Sequence, residues 1–382
     1  MPTLTDDELK KAIADGKVFA ISIDTSVFDA KQKTFSNTVL QRLDQFYERD
    51  VRVVFSDVVA REIVAHLRDD ASEPQRALKK ALRSHTLRWN RERADKEDED
   101  LLLQADPAAF AQLEFDAFLK HVNGQVIKSS DVPDAVENIL TRYFSEAPPF
   151  GPADKRKSEF PDAFALLRLE TFGEENKGFV LCVAPDKGWV EFAAKSDHLV
   201  CVDRLEHALA LFNAADQNLA DVIVQRWRES EGGEFIEAIS NAFEYRLDDL
   251  DFSVDGHADV EFEAEPLGAV LQFVNPQSIG QPTVIAVDSD TVTFTVGLEA
   301  CVGFEASFNF FVEDSVDRDY VHLGSEETYI EDTLPFTLTI TADRSLDDGV
   351  VFHEVEVSKK RIDVNFGYVD AFPNENPHHE KY

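Results

Sequence analysis

Cysteine is scarce in this chain: Cys182, Cys201 and Cys301 are widely spaced and sit in apolar runs (VLCVA, LVCVD, EACVGF). That excludes a disulfide framework and any CxxC or Cys/His zinc spacing, and predicts buried thiols in a reducing compartment. Long apolar runs are also missing. The longest uncharged stretch, from Leu267, is broken by Asn, Pro, Gln and Ser, which argues against a membrane span. The opening MPTLTDDELKKA has neither the basic start nor the apolar core of a signal peptide, so a soluble, cytoplasmic protein is expected. No GxxxxGK[ST], GxGxxG or HExxH occurs, which removes P-loop, dinucleotide and zincin chemistry. Basic residues are few as well. With 38 Lys and Arg against 74 Asp and Glu the formal charge is -36, which opposes loose attraction to a phosphate backbone.

What is present is enough apolar residue, 43% of the chain, for globular cores, and a length of 382 residues that predicts two domains. The acid is unevenly spread: residues 231 to 382 carry 33 acidic and 7 basic side chains, a net of -26, against -10 for residues 1 to 230. The hydrophobic pattern changes at the same place. Before it, the buried-strand runs KVFAISI, VRVVF, FVLCV and HLVCV alternate with amphipathic helices, predicting a doubly wound parallel α/β sheet. Thr5 with Glu8 forms a capping box, Ser56 caps the helix after VRVVF, and Pro161 suits a first helical turn. Residues 72 to 145 read as a mostly helical insertion, followed by the loop APPFGPADKRKSEFP. After 231, segments such as TVTFTVGLEA and FTLTITA alternate apolar and polar residues, predicting an antiparallel β domain of sandwich or barrel type.

Four carboxylates stand where such a sheet builds sites. Asp24 and Asp186 directly follow buried strands, at the carboxyl edge where parallel sheets bind ligands. Glu62 shares a helical face with Val59, Ile63 and His66, and Asp162 opens a helix. Each has an ordinary structural use on its own: Asp24 and Asp186 as turn caps, Asp162 as a partner of the helix dipole, Glu62 as a side chain that reaches past apolar neighbours to solvent. Together, if the strands are neighbours, they form a cluster of negative charge that only a cation makes cheap, with the hard oxygen ligands Mg²⁺ or Mn²⁺ prefers. Lys155, Arg156 and Lys157 form the one basic cluster close in sequence to these acids, fit either for a phosphate backbone or for a solvated loop. Trp189 and Phe192 could stack on a base, but two aromatics on a short helix beside a strand are more often core. The phosphoaspartyl phosphatases want DxD here, where the chain has Asp24, Thr25 and Ser26.

The segments IDTSVF, VVAREIVAHL, EFPDAFALL and VAPDKGWVEF, in that order, resemble the successive acidic motifs of PIN-domain nucleases, and the helical insertion with its basic loop is similar to the DUF4935 branch of that superfamily, over about residues 18–212. The resemblance implies a metal-dependent phosphodiester hydrolase, an endoribonuclease of toxin or defence style ahead of a deoxyribonuclease. It implies one or two Mg²⁺ or Mn²⁺ ions held by Asp24, Glu62, Asp162 and Asp186, with Ser26 supporting Asp24 or contacting substrate. Many PIN domains place a further acid just after the position of Asp186; here Lys187, Gly188 and Trp189 follow. That departure leaves a second reading open, a catalytically weak PIN-like scaffold that binds protein or nucleic acid. The acidic β domain is expected to recruit a protein partner or to self-associate.

Overall fold

The computed structural model describes residues 4–89, 105–151, 156–229, 233–247, 252–313, 320–346, 349–358 and 362–371. The chain divides into two compact units, residues 1–215 with 284–287, and residues 216–283 with 288–382. This division falls earlier than the change in sequence pattern at 231. The helix Gln217–Glu229 thereby belongs to the second unit.

In the first unit five parallel strands run in the order β3-β2-β1-β4-β5, with β1 Val18–Ile23, β2 Arg52–Ser56, β3 Gln125–Ile127, β4 Phe179–Val183 and β5 Leu199–Val202. The continuous apolar runs explain why the four longer strands lie inside: β1 and β4 are buried at almost every position, and helices cover the sheet. Local signals act as their chemistry predicts. Thr5 and Glu8 complete a reciprocal capping box on the helix Asp6–Ala14, and the Ser56 hydroxyl accepts from the Val59 N–H at 3.2 Å at the start of Asp57–Arg88. That second helix runs 32 residues, through Pro74, so the span expected as an insertion from residue 72 begins inside it. The same span also supplies β3, a three-residue edge strand with two exposed positions, too short and too polar to stand out as a buried run. Before β2 the chain forms a short α turn, Thr38–Gln41, tightening into a 3-10 helix, Arg42–Tyr47.

The second unit holds the antiparallel β structure. Its strands are β6 Phe252–His257, β7 Glu261–Asn275, β9 Thr291–Glu313, β10 Tyr320–Asp343, β11 Phe352–Val357 and β12 Ile362–Tyr368; β8, Thr283–Val287, falls almost wholly among the residues of the first unit. The main sheet runs β11-β10-β9-β7, built on a long β9–β10 pair in register from Thr291↔Asp343 to Glu313↔Tyr320. Along β9, Thr293, Thr295 and Cys301 of one face are buried, and on the opposite face Ala300, Val302, Phe304, Ala306, Phe308 and Phe310 are buried at every second position. A two-stranded sheet packs against that face, Phe252 of β6 on Phe304 and Phe366 of β12 on Phe308. β6 and β12 pair in parallel, a departure from the all-antiparallel expectation; alternation reports which face is buried and is blind to strand direction. The helix Gly233–Leu247 covers the other end through Phe243 on Phe336 and Phe235 on Phe352.

Among the described residues no helix is long and apolar enough to cross a membrane. The three cysteines are free thiols; burial pushes Cys201 up to about 12 and Cys182 upward as well, so both stay protonated near neutrality.

Candidate active site

The strand order reverses between β1 and β4, which makes the carboxyl ends of these two neighbours a topological switch point, the place where open α/β sheets leave a crevice. Asp24 ends β1 and its backbone N–H donates to the Val183 carbonyl at 2.9 Å, so the strand end carrying Asp24 is tied to the one that leads into Asp186. Both acids act as helix caps. Asp24 Oδ2 accepts the Ser26 N–H at 3.2 Å and the Ser26 hydroxyl, while Asp186 Oδ1 accepts the N–H groups of Gly188 at 2.7 Å and Trp189 at 3.3 Å. The ordinary turn-capping use of these aspartates is therefore real, and in each case one oxygen performs it.

The remaining two acids come from helices. Glu62 lies on the helix after β2 and is held by the Thr25 hydroxyl, which donates to its Oε2 at 2.9 Å. Asp162, in the first turn of the helix Phe160–Asn176, accepts the indole Nε1–H of the fully buried Trp189 at 2.9 Å. One turn beyond Glu62, His66 Nδ1 pairs with Asp29 at 2.8 Å.

Electrostatics draws the four acids together. Burial raises the Asp162 carboxyl to about 7; the Trp189 hydrogen bond opposes that rise, and the charges of Asp24, Asp186 and Glu62 add to it. Asp24 is also raised, first by burial, against the pull of Ser26 and with a push from Asp186. Each of the other three acids is thus close enough to Asp162 to oppose its ionisation. The proteins that tolerate such clusters use them, because an unneutralised carboxylate group of this kind only costs stability.

Four carboxylates are a hard-oxygen donor set, and that chemistry fits Mg²⁺ or Mn²⁺. Among the described residues, however, no group of three or more His, Cys, Asp or Glu side chains is already arranged around a metal position. The two facts are compatible for a cation that keeps several of its waters and takes one or two carboxylates directly.

The basic residues expected to meet substrate fare unequally. Lys155 lies outside the described residues. Arg156 is engaged locally, bonded to Glu146 at 2.7 Å, reaching toward the Gly151 carbonyl, and lying over the Tyr143 ring; Lys157 is exposed. A groove of about 1120 Å³ is apolar, lined by residues including Val136, Leu140, Phe144 and Phe164, and none of the four acids borders it. The perturbed carboxyl lies at the switch point and not in this groove.

Sequence reasoning passed over Thr25 and gave Trp189 a packing role ahead of base stacking, not a bond to a carboxylate. For Trp189 a signal existed: a buried indole N–H ordinarily finds a partner, and the nearest strand end offered carboxylates.

An α/β sheet with a carboxylate-lined switch point defines a class of domain whose chemistry rests on acids. Residues 21–189 match the family model described as PIN domain, a match that supports the PIN-domain superfamily, a nuclease-type family, for this span. The match does not resolve the DUF4935 branch. No curated protein and no solved structure matches the chain.

Proposed function

We propose that the first unit is a divalent-cation-dependent nuclease whose centre is Asp24, Glu62, Asp162 and Asp186, with RNA as the substrate on the strength of the family resemblance. The observation that carries the reading is the joint opposition of Asp24, Asp186 and Glu62 to the ionisation of a buried Asp162, at the carboxyl edge of adjacent strands. When bound, Mg²⁺ or Mn²⁺ supplies water activation and offsets charge on the phosphoryl oxygens. Asp24 and Asp162 are proposed as direct ligands, Asp186 as a ligand of the same centre, and Glu62 as a ligand directly or through water. Ser26, whose hydroxyl is bonded to Asp24, supports that ligand. The free thiols suit a reducing, cytoplasmic setting and a role in the style of toxin or defence nucleases. The second unit, by its charge, is proposed to bind a protein partner or a second copy of itself.

The test is incubation of the purified chain with labelled RNA, single-stranded DNA and duplex DNA in Mn²⁺, beside an Asp24→Asn, Asp162→Asn double variant. Cleavage of RNA by the native chain alone is expected; equal cleavage by both proteins would refute the centre.

The absence of a preassembled three-ligand group among the described residues favours a second reading, a weakly catalytic PIN scaffold. Calorimetric Mn²⁺ titration separates the two: binding no stronger than that of the double variant, with no cleavage of any substrate, selects the scaffold.

A further inference from the structure

Trp189 sits at the junction of two of the four acids. Its backbone N–H donates to Asp186, three residues earlier, and its indole Nε1–H donates to Asp162, 27 residues away on another helix. Both bonds go to Oδ1, as does that of Gly188. Among the described residues, neither carboxylate is held through Oδ2. One side chain with no accessible surface therefore restricts the rotation of one acid while its main chain restricts the other.

The surroundings keep Trp189 in place. A Cβ on Gly188 would come within 2.9 Å of both Asp186 Oδ1 and the Pro149 carbonyl, so the helix start lies close against the Pro149 backbone. Phe192, on the next turn of the same helix, is capped by the Arg142 guanidinium at 4.4 Å from its ring centre. The kind of donor matters too. A lysine or arginine would hold the same oxygens but compete with a divalent cation for their charge, whereas a neutral N–H orients the carboxylate and leaves its negative charge available.

We propose that Trp189 is a positioning residue of the centre: it fixes Asp162 and Asp186 through Oδ1 and so presents Oδ2 of each to a divalent cation. The proposal rests on the metal-dependent reading above. It also makes the indole N–H a built-in reporter of the site.

The experiment uses the full chain labelled with ¹⁵N at the indole nitrogens of its three tryptophans, with Mg²⁺ alone as the probe. Trp189→Phe assigns the Trp189 resonance. In the native chain that resonance shifts saturably with Mg²⁺ while the other two stay still, and Asp162→Asn displaces it before any metal is added. Trp189→Phe, which keeps an aromatic ring but no N–H, binds Mg²⁺ about 10- to 100-fold more weakly and loses kcat by a similar factor, with KM for RNA little changed. A Trp189 resonance indifferent to Mg²⁺ while calorimetry registers binding would overturn the proposal, as would a folded Trp189→Phe with unchanged Mg²⁺ affinity and kcat. Native protein that binds no Mg²⁺ at all would overturn the nuclease reading and this proposal with it. Should Trp189→Phe fail to fold, the native and Asp162→Asn resonances decide.

Discussion

Replacing Asp162 by Asn tests the electrostatics of the centre without relying on an activity assay. Asn keeps the Oδ1 acceptor that the Trp189 indole uses and removes the charge that burial and three neighbouring acids oppose. The native carboxyl is raised from 3.8 to about 7. For a raised carboxyl, the folded state binds its proton more tightly than the unfolded chain. The stability this contributes is complete below 3.8 and disappears as pH climbs through about 7. Roughly three pKa units at about 1.4 kcal/mol each set a ceiling near 4 kcal/mol, and partial solvent access cuts the working figure to about 1–3 kcal/mol. In chelator at about pH 8.5, Asp162→Asn should therefore melt about 2–12 °C above the native protein, given roughly 2–4 °C per kcal/mol for a unit of this size. Near pH 5 the gap should have narrowed, and it should close below about pH 3.8, where the side chain is neutral in the folded and the unfolded chain alike. Added Mn²⁺ should raise the melting temperature of the native chain more than that of the variant, since a ligand stabilises the state that binds it. Thermal unfolding followed by circular dichroism, at three pH values with chelator or Mn²⁺, provides all of this. An Asn variant that melts below the native protein at the alkaline end in chelator would refute the argument, because it would mean the charged form is stabilised by its surroundings.

Four further outcomes follow from the same geometry. The pH–rate profile of RNA cleavage should rise on its acid side as pH passes upward through about 7, where Asp162 loses its proton, and higher Mn²⁺ should move that limb to lower pH; a limb unmoved by metal would contradict the coupling. Thr25→Val removes the bond to Glu62 and should cost about 1 kcal/mol of stability and roughly tenfold in metal affinity, measured by melting and calorimetry. Gly188→Ala should cut cleavage strongly while shifting stability by about 1–3 kcal/mol, since the added methyl meets the Pro149 backbone and the Asp186 carboxylate at once. Phe308→Ala, in the buried core of the second unit against Phe262 and Phe366, should cost about 3–5 kcal/mol in that unit's unfolding transition; intact cleavage by the weakened protein would show that the nuclease centre does not draw on that core.

Much of the molecule is legible locally. KVFAISI could only be a buried strand, and the acid at its end could only lie at the sheet's carboxyl edge; the structure has β1 ending at Ile23 with Asp24 as the next cap. Thr5 and Ser56 act through bonds to neighbours a few residues away and Pro161 through its own fixed φ in the first turn, so sequence spacing suffices to read them. The β-rich second half follows from alternation, which reports burial one residue at a time. Less legible were β3, whose place is set by its pairing with β2 rather than by its three residues, and the parallel pairing of β6 with β12. Arg156 had the charge for a substrate contact, but folding spends it on Glu146 and the Gly151 carbonyl.

The sequence by itself determined the repertoire: which segments would be buried strands, where their ends would carry carboxylates, and that the excess acid would gather in the second half. Tertiary structure alone decided the adjacency of β1 and β4, and with it that Asp24, Asp186 and Glu62 oppose the ionisation of Asp162. It also decided that a tryptophan would hold two of them. The physical reason is range: caps and alternation are set by sterics and hydrogen bonds within a few residues, whereas strand order and the desolvation of a carboxyl depend on groups far apart in the chain that only packing brings together.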